Sequence, residues 1–299
     1  MFTQFFGNYL LNQKLVSTWQ LTEALKLQKT TRLKLGVLAI NAGYMNSQQV
    51  EEVHRAQARI DKRIGDIAVD MGYLTVEQVE ELLSTQKTGH LLLGQALVDK
   101  GYMTTRQFES ALNSYKEKNA ITDSDFTDVQ NQKIQNVIKN FYNFNSFKYA
   151  EIYTDYVSLL FKNIIRFIGD DFTPLEAQTV NDYQTSWFAY QNIKGKFNAF
   201  TAIEGNEISF INFASRYADD DFNDNNVYVK ASIGEFLNLH NGLFTVNMSN
   251  DRQLELEMTP QSVDNRKNLR TSSDAFFIPI CFPFGTINII ISSDNPIIL

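Results

Sequence analysis

Along the first third of the chain, apolar residues recur at helical spacing in short runs, and each run stops at a glycine. Leu35, Leu38, Ala39 and Ala42 form one such stripe, and Gly43 follows it. Apolar positions at i, i+3 and i+4 predict a helix with one buried face, and glycine just past its end predicts a left-handed terminal residue. A small polar residue comes next, Asn46, with Gln49 three positions later, the pattern of an N-cap with a reciprocal capping box. Val50 and Val53 then open a second stripe. The same grammar returns. Opening glycines fall at Gly7, Gly36, Gly65 and Gly94, 29 residues apart. Closing glycines stand at Gly43, Gly72 and Gly101, with Lys14 in that place in the first unit, and the polar caps are Ser17, Asn46, Thr75 and Thr104. Gln28, Gln57 and Gln86 end three units and Tyr115 ends the fourth. A fixed period of this length predicts stacked supersecondary units. Here it predicts four all-α helical hairpins over residues 1–116.

Beyond that point the pattern changes. Residues 117–148 turn polar and rich in Asn, Asp and Gln, which reads as a linker, with a short helix over 129–141. From residue 149 onward, helical and strand periods alternate. "YTDYVSLLFKNIIRFIG" predicts a long amphipathic helix ending at Gly169. "GKFNAFTAIEG" predicts a strand and a turn at Glu204–Asn206, and "NEISFINFASRYA" leads into a helix. "VYVKASIGEFLNLHNGLFTV" predicts a second long helix with a polar break at Asn241–Gly242. In "AFFIPICFPFGTINIIIS" two β-rich runs flank Phe282–Gly285, a hairpin signal. Helix, strands, helix, strands in this order implies an α+β or α/β sandwich with a layer of long helices over residues 149–299.

Charge and composition then narrow the function. Residues 1–118 carry 14 Lys+Arg against 12 Asp+Glu, and the remainder 13 against 22. General binding of a nucleic-acid polymer needs a basic face, so it is excluded, while a small anion could still bind in the first part. The single cysteine, Cys281, sits in an apolar strand and excludes a disulfide framework. No run approaches the ~18 apolar residues that cross a bilayer, and no signal-peptide pattern opens the chain. A cytoplasmic protein without a membrane partner is expected. His54, His90 and His240 lack metal or triad spacing and read as structural, although His240 is close enough to residue 238 to touch a docked partner. Asp219, Asp220 and Asp221 read as a solvated loop, and no glycine-rich phosphate loop occurs.

The four units resemble the repeated motif of the MshE N-terminal domain, found at the front of type II secretion and type IV pilus ATPases. In that family, tandem motifs with the spacing seen here bind cyclic di-GMP. Carried over by position, the family arginine is Arg63 in the third unit and Lys34 in the second; it is Phe5 and Leu92 in the outer units. The resemblance therefore implies a cyclic di-GMP site at Lys34, Leu35, Gly36, Gln57, Arg63, Ile64, Gly65 and Gln86. Lysine acts on a phosphate as a point charge, without the two-pronged grip of arginine. A repeat kept for dimerisation or partner docking is the other reading.

One stretch of the second part carries chemistry, "ASIGEFLNLHNG". Glu235 and Asn238, three apart on a helix, share a face, as many solvated pairs also do. Within this context they resemble the Glu-x-x-Asn motif of the CheC/CheX/FliY chemotaxis phosphatases. That resemblance implies a CheX-like α+β domain, with long helices on a mainly antiparallel sheet, that removes phosphate from the aspartate of a response-regulator receiver. Glu235 would anchor the receiver lysine and Asn238 would hold the attacking water. Mg²⁺ would belong to the receiver, and this chain would carry no cofactor of its own. The first long helix has Asp155 and Ser158 but no Glu-x-x-Asn, which places the chain nearer CheX and implies a homodimer. Ala231 stands where the family prefers Asp or Ser. The alternative is a non-enzymatic adaptor built on the same fold.

Overall fold

The structure is a computed structural model that describes residues 2–28, 30–84, 89–118, 135, 137–139, 141–142, 144, 149–293 and 295–299. It divides into two compact units, Met1–Gln130 and Asn131–Leu299.

The described residues of the first unit are helical: α1 (Phe2–Asn12), α2 (Thr18–Gln28), α3 (Leu35–Asn41), α4 (Ser47–Gln57), α5 (Ile64–Asp70), α6 (Val76–Ser84), α7 (Gly89–Asp99) and α8 (Thr105–Lys118). Each 29-residue segment contributes two of them, and local chemistry sets the breaks. Gly43, Gly72 and Gly101 take φ of 71°, 72° and 69°, and Lys14 is forced into the same left-handed region at 54°. Every second helix starts on a reciprocal cap. At Asn46 the side chain accepts from Gln49 N at 2.9 Å while Gln49 Oε1 accepts from Asn46 N at 2.9 Å. The same exchange joins Ser17 with Gln20, Thr75 with Gln78 and Thr104 with Gln107. The opening glycines let the two helices of a hairpin touch. A Cβ on Gly36 would lie 2.6 Å from Val50, and one on Gly94 would lie 2.1 Å from Phe108. Between hairpins, α2 packs on α7 and α4 on α5, pairing repeat 1 with 4 and repeat 2 with 3.

The second unit is mixed helix and sheet. The helices are α9 (Ala150–Phe167), α10 (Glu207–Ala218) and α11 (Val227–Arg252). The strands are β1 (Thr173–Pro174), β2 (Gln178–Gln184), β3 (Trp187–Gly195), β4 (Ala199–Gly205), β5 (Leu256–Met258), β6 (Ser262–Asn265), β7 (Asn268–Phe282), β8 (Gly285–Ser292) and β9 (Ile297–Ile298). All pair antiparallel in the order β1-β7-β8-β4-β3-β5, with β2 and β9 added on β7 and β6 added on β3. Strand alternation separates two cores. Ala189, Gln191, Thr201 and Ile203 are buried beneath the helices, and α11 packs on β3. On the opposite face Phe188, Phe200, Ala202, Leu269, Phe277 and Ile290 form a second apolar cluster, with Val180, Tyr183 and Ile298 of β2 and β9 packed against it. A register shift between Val180 and Asp182 accompanies the bend of β2 along the long strand β7.

Two expectations are corrected here. Helix α11 runs unbroken through Asn241 and Gly242, because the Asn241 amide is fully bonded inside the core and Gly242 has only Met258 nearby, 3.6 Å from where a Cβ would sit. The polar stretch 117–148 is also not all linker. Ile138, Tyr142 and Phe144 are buried, and the rings of Tyr142 and Phe144 meet Phe161 and Phe276. The helix expected over 129–141 lies mostly outside the described residues.

Candidate functional site

Helix α11 presents its outer face between Asn226, whose side chain caps the first turn through Tyr228 N and Val229 N, and Gln253, its left-handed terminus. Apolar residues Val229, Ile233, Phe236 and Leu237 turn inward and are buried. The complementary face holds Tyr228, Ala231, Glu235, Asn238, Gly242 and Val246, the i, i+3/i+4, i+7 series that one side of a helix repeats. Glu235 is exposed and, among the described residues, makes no hydrogen bond or ion pair. Its charge is felt by Tyr217, whose hydroxyl is held above its usual range first by burial and second by Glu235. Asn238 is half-buried, and its Oδ1 accepts from Gln191 Nε2 at 2.8 Å. Ala231 lies one turn before Glu235 and is exposed, with only a methyl group to offer. Exposed apolar side chains flank the pair: Val227, Tyr228, Leu243 and Val246. The site is an acid and an anchored amide on a convex, apolar-rimmed helix.

His240 does not belong to that surface. It is fully buried, its ring stands edge-on to Tyr156 at 4.4 Å, and its Nδ1 faces Asn163 Nδ2 at 3.1 Å. Burial pushes its pKa down to about 3. The expected contact with a docked partner is thereby ruled out for the folded state. On α9 the corresponding residues are also unexposed: Ser158 is buried, and Asp155 binds Arg252 at 2.7 Å and Gln135 at 3.0 Å. Cys281 is core, and Asp219 to Asp221 are exposed, as expected.

In the first unit the implied cyclic di-GMP residues separate into two groups. Leu35, Gly36 and Ile64 come together, lining an apolar cavity of about 10 Å³ with Met45, Val50 and Val53. That volume holds no more than a water. Gly65 approaches the same contact, since a Cβ there would lie 3.4 Å from Leu35. The polar members are dispersed. Lys34 donates to Asp99 at 2.6 Å, and its backbone N–H is held by Gln95 at 3.1 Å. Gln57 donates to the Lys62 carbonyl at 3.2 Å, Arg63 is exposed at the start of α5, and Gln86 lies outside the described residues. No hydrogen bond or ion pair joins Lys34, Gln57 and Arg63 to one another among the described residues. The backbone amides of α3 and α5 remain open at their first turns, without side-chain caps.

The residues that sequence reasoning missed are interior: Gln191, Thr201, Asn241 and Tyr156, all buried and bonded in one chain that ends at Asn238. Gln191 left one sequence signal, a polar side chain in register with Ala189 and Ile193 on the buried face of an apolar strand.

No family profile matches the chain, and no curated protein matches it. Solved structures do. The chain is similar to the chemotaxis protein CheX from Desulfovibrio desulfuricans at 18% identity, over 48% of this chain and 98% of that one, with a TM-score of 0.42. CheX from Vibrio vulnificus is similar at 14% identity, over 47% and 97%, TM-score 0.42. The CheX-CheY-BeF3-Mg+2 complex from Borrelia burgdorferi is similar at 13% identity, over 47% and 96%, TM-score 0.40. Among the described residues no helix is long and apolar enough to cross a membrane, and no cluster of His, Cys, Asp and Glu could hold a metal ion.

Proposed function

We propose that the second unit is a CheX-like phosphatase for the phosphoaspartate of a response-regulator receiver. One observation carries this reading: Glu235 and Asn238 stand one turn apart on the outer face of α11, with the amide anchored from below by Gln191. Hydrolysis of an acyl phosphate needs a placed water more than covalent help. A water attacks phosphorus, the bond from phosphorus to the aspartyl oxygen breaks, and the carboxylate leaves with that electron pair. The water's protons pass to phosphate and solvent. Asn238 is neutral and does not repel the phosphoryl oxygens, while Glu235 suits the receiver's active-site lysine. The Mg²⁺ belongs to the receiver, so this chain's residues bind and orient only. Decay of a phosphorylated CheY receiver is the test. Wild type is expected to accelerate it, and Asn238→Ala to lower the rate by about 10²–10³-fold, as for loss of one aligned transition-state hydrogen bond. Equal decay with and without the protein leaves the adaptor reading, which Ala231 favours.

The first unit is the regulatory half of the proposal, a cyclic di-GMP module centred on repeats 2 and 3. Support comes from exposure: Lys34, Gln57 and Arg63 face solvent, whereas Phe5, Gln28 and Tyr115 at matching positions of repeats 1 and 4 are buried. Calorimetric titration of cyclic di-GMP is expected to give binding that Arg63→Ala weakens about 10- to 100-fold, the worth of a charge-assisted pair. Absence of heat with wild type removes the sensor.

A further inference from the structure

Asn238 is the outermost member of a chain of amides and hydroxyls that runs through the core of the second unit. Gln191 Nε2 donates to Asn238 Oδ1 at 2.8 Å and to the Thr259 carbonyl at 2.8 Å. Gln191 Oε1 accepts from Asn241 Nδ2 at 2.8 Å, and the same Nδ2 donates to Thr201 Oγ1 at 2.8 Å. Tyr156 closes the chain by donating to Asn241 Oδ1 at 3.0 Å, while Thr201 Oγ1 donates back to the Gln191 carbonyl at 3.0 Å. Gln191, Asn241, Thr201 and Tyr156 are each no more than 1% exposed. Every amide proton and amide oxygen of Gln191 and Asn241 is used.

The direction of this chain follows from one fixed point. A backbone carbonyl only accepts, so the end of Gln191 that faces Thr259 is its NH₂. That turns Gln191 Oε1 toward Asn241, which must answer with its own NH₂ and keep its oxygen for the Tyr156 hydroxyl. The second proton of Gln191 then requires the oxygen of Asn238. Turning the Asn238 carboxamide over would set two amide donors against each other and leave the interior Gln191 proton unsatisfied, a costly state for a buried polar group. The outward end of Asn238 is therefore its NH₂, which has no hydrogen-bond partner among the described residues.

We infer that Gln191 is a positioning residue that fixes which end of the Asn238 carboxamide meets a partner, so that this surface offers a donor at Asn238 and an acceptor at Glu235. The group received at Asn238 is then one that accepts hydrogen bonds, an anionic phosphoryl oxygen or the lone pair of a water. A water held this way keeps a second lone pair for phosphorus. The enzymatic consequence rests on the phosphatase reading above; the orientation of the amide does not.

The test has two arms. In the full chain, labelled with ¹⁵N and ¹³C, a coupling across the hydrogen bond between Gln191 ¹⁵Nε2 and Asn238 ¹³Cγ is expected in wild type, and its absence overturns the inference without any variant having to fold. In the second arm, a CheY receiver phosphorylated with acetyl phosphate is the probe. Gln191→Met is expected to lower kcat by about 10- to 100-fold, the effect of a misplaced catalytic group, with KM unchanged within about two-fold. Loss confined to melting temperature, with kcat intact, overturns the positioning role. If wild type does not hasten dephosphorylation, the phosphatase reading falls, and the wild-type coupling alone decides the orientation.

Discussion

Repeats 1 and 4 share their grammar with repeats 2 and 3, and the two pairs differ in what occupies three matching positions. Two residues before the opening glycine, repeats 1 and 4 have Phe5 and Leu92 where repeats 2 and 3 have Lys34 and Arg63. Eighteen residues after it, Leu25 and Leu112 are 2% and 0% exposed, while His54 is exposed and Leu83 is 71% exposed. At the closing position Gln28 and Tyr115 are buried and Gln57 is not. The outer pair also gains a turn at the front of each first helix: α1 and α7 have 11 residues, α3 and α5 have seven. That turn carries His90 into a cluster with Phe6, Phe108 and Tyr115, at ring separations of 5.4 to 6.3 Å from Phe6. One hairpin pair has filled its own cleft with apolar side chains. The other leaves Lys34, Gln57 and Arg63 facing solvent at the matching positions. The same repeat positions thus serve as core in one pair and as surface in the other.

The comparison is broken most severely by acid. Burial, with the charge of Lys116 second, pushes His90 down to about 3, whereas Arg32 and Asp61, its counterparts in repeats 2 and 3, are exposed. An unfolded imidazole titrates near 6.5, so between about 6.5 and 3 the unfolded chain holds a proton that the folded one lacks. The contribution is present above about pH 6.5 and lost as pH falls, and the loss grows to ~5 kcal/mol at the acid end. Urea unfolding in pH steps is expected to show this slope in wild type and a flatter one in His90→Leu. Parallel slopes would mean that His90 is hydrated.

Packing gives the next largest contrast. Leu112→Ala should cost about 2–5 kcal/mol in the filled pair, while Leu83→Ala, at the same repeat position, should stay within about 0.5 kcal/mol. Calorimetric melting of both variants checks it; similar losses would show that Leu83 is covered in solution. The smallest expected effect sharpens the comparison from the other side. Lys34 is tied to Asp99 of repeat 4 by an exposed ion pair, a contact that is worth little on its own. Asp99→Asn should free the ammonium and tighten cyclic di-GMP by about two- to five-fold in calorimetry. Weaker binding would indicate that Asp99 orients Lys34 instead of competing for it.

Much of this architecture was legible because local rules dominate it. The glycines at 43, 72 and 101 do adopt positive φ, the four polar caps do pair with glutamines three residues on, and β7 and β8 do meet at Phe282–Gly285. The unbroken course of α11 was not legible. An Asn-Gly pair normally ends a helix, and what overrules it is Tyr156, Gln191 and Thr201, between 40 and 85 residues away in sequence. The second apolar cluster was hidden for a similar reason, since β7 is long enough to pair with four strands and alternation alone does not say which. At the candidate site, the shared face of Glu235 and Asn238 follows from helical spacing. The amide's orientation depends on a side chain from β3, and no spacing along α11 contains it.

Helix α11 is a single rod of 26 residues, roughly 39 Å long, with His240 wedged in the interior two positions past the half-buried Asn238. Its outward turn cannot wander without dragging a ring out of a dry interior. The disorder of the Asn238 side chain is therefore given up when the chain folds, not when a visitor arrives. Encounter with any partner should be governed by how often it finds the rod, and departure by how well it fits.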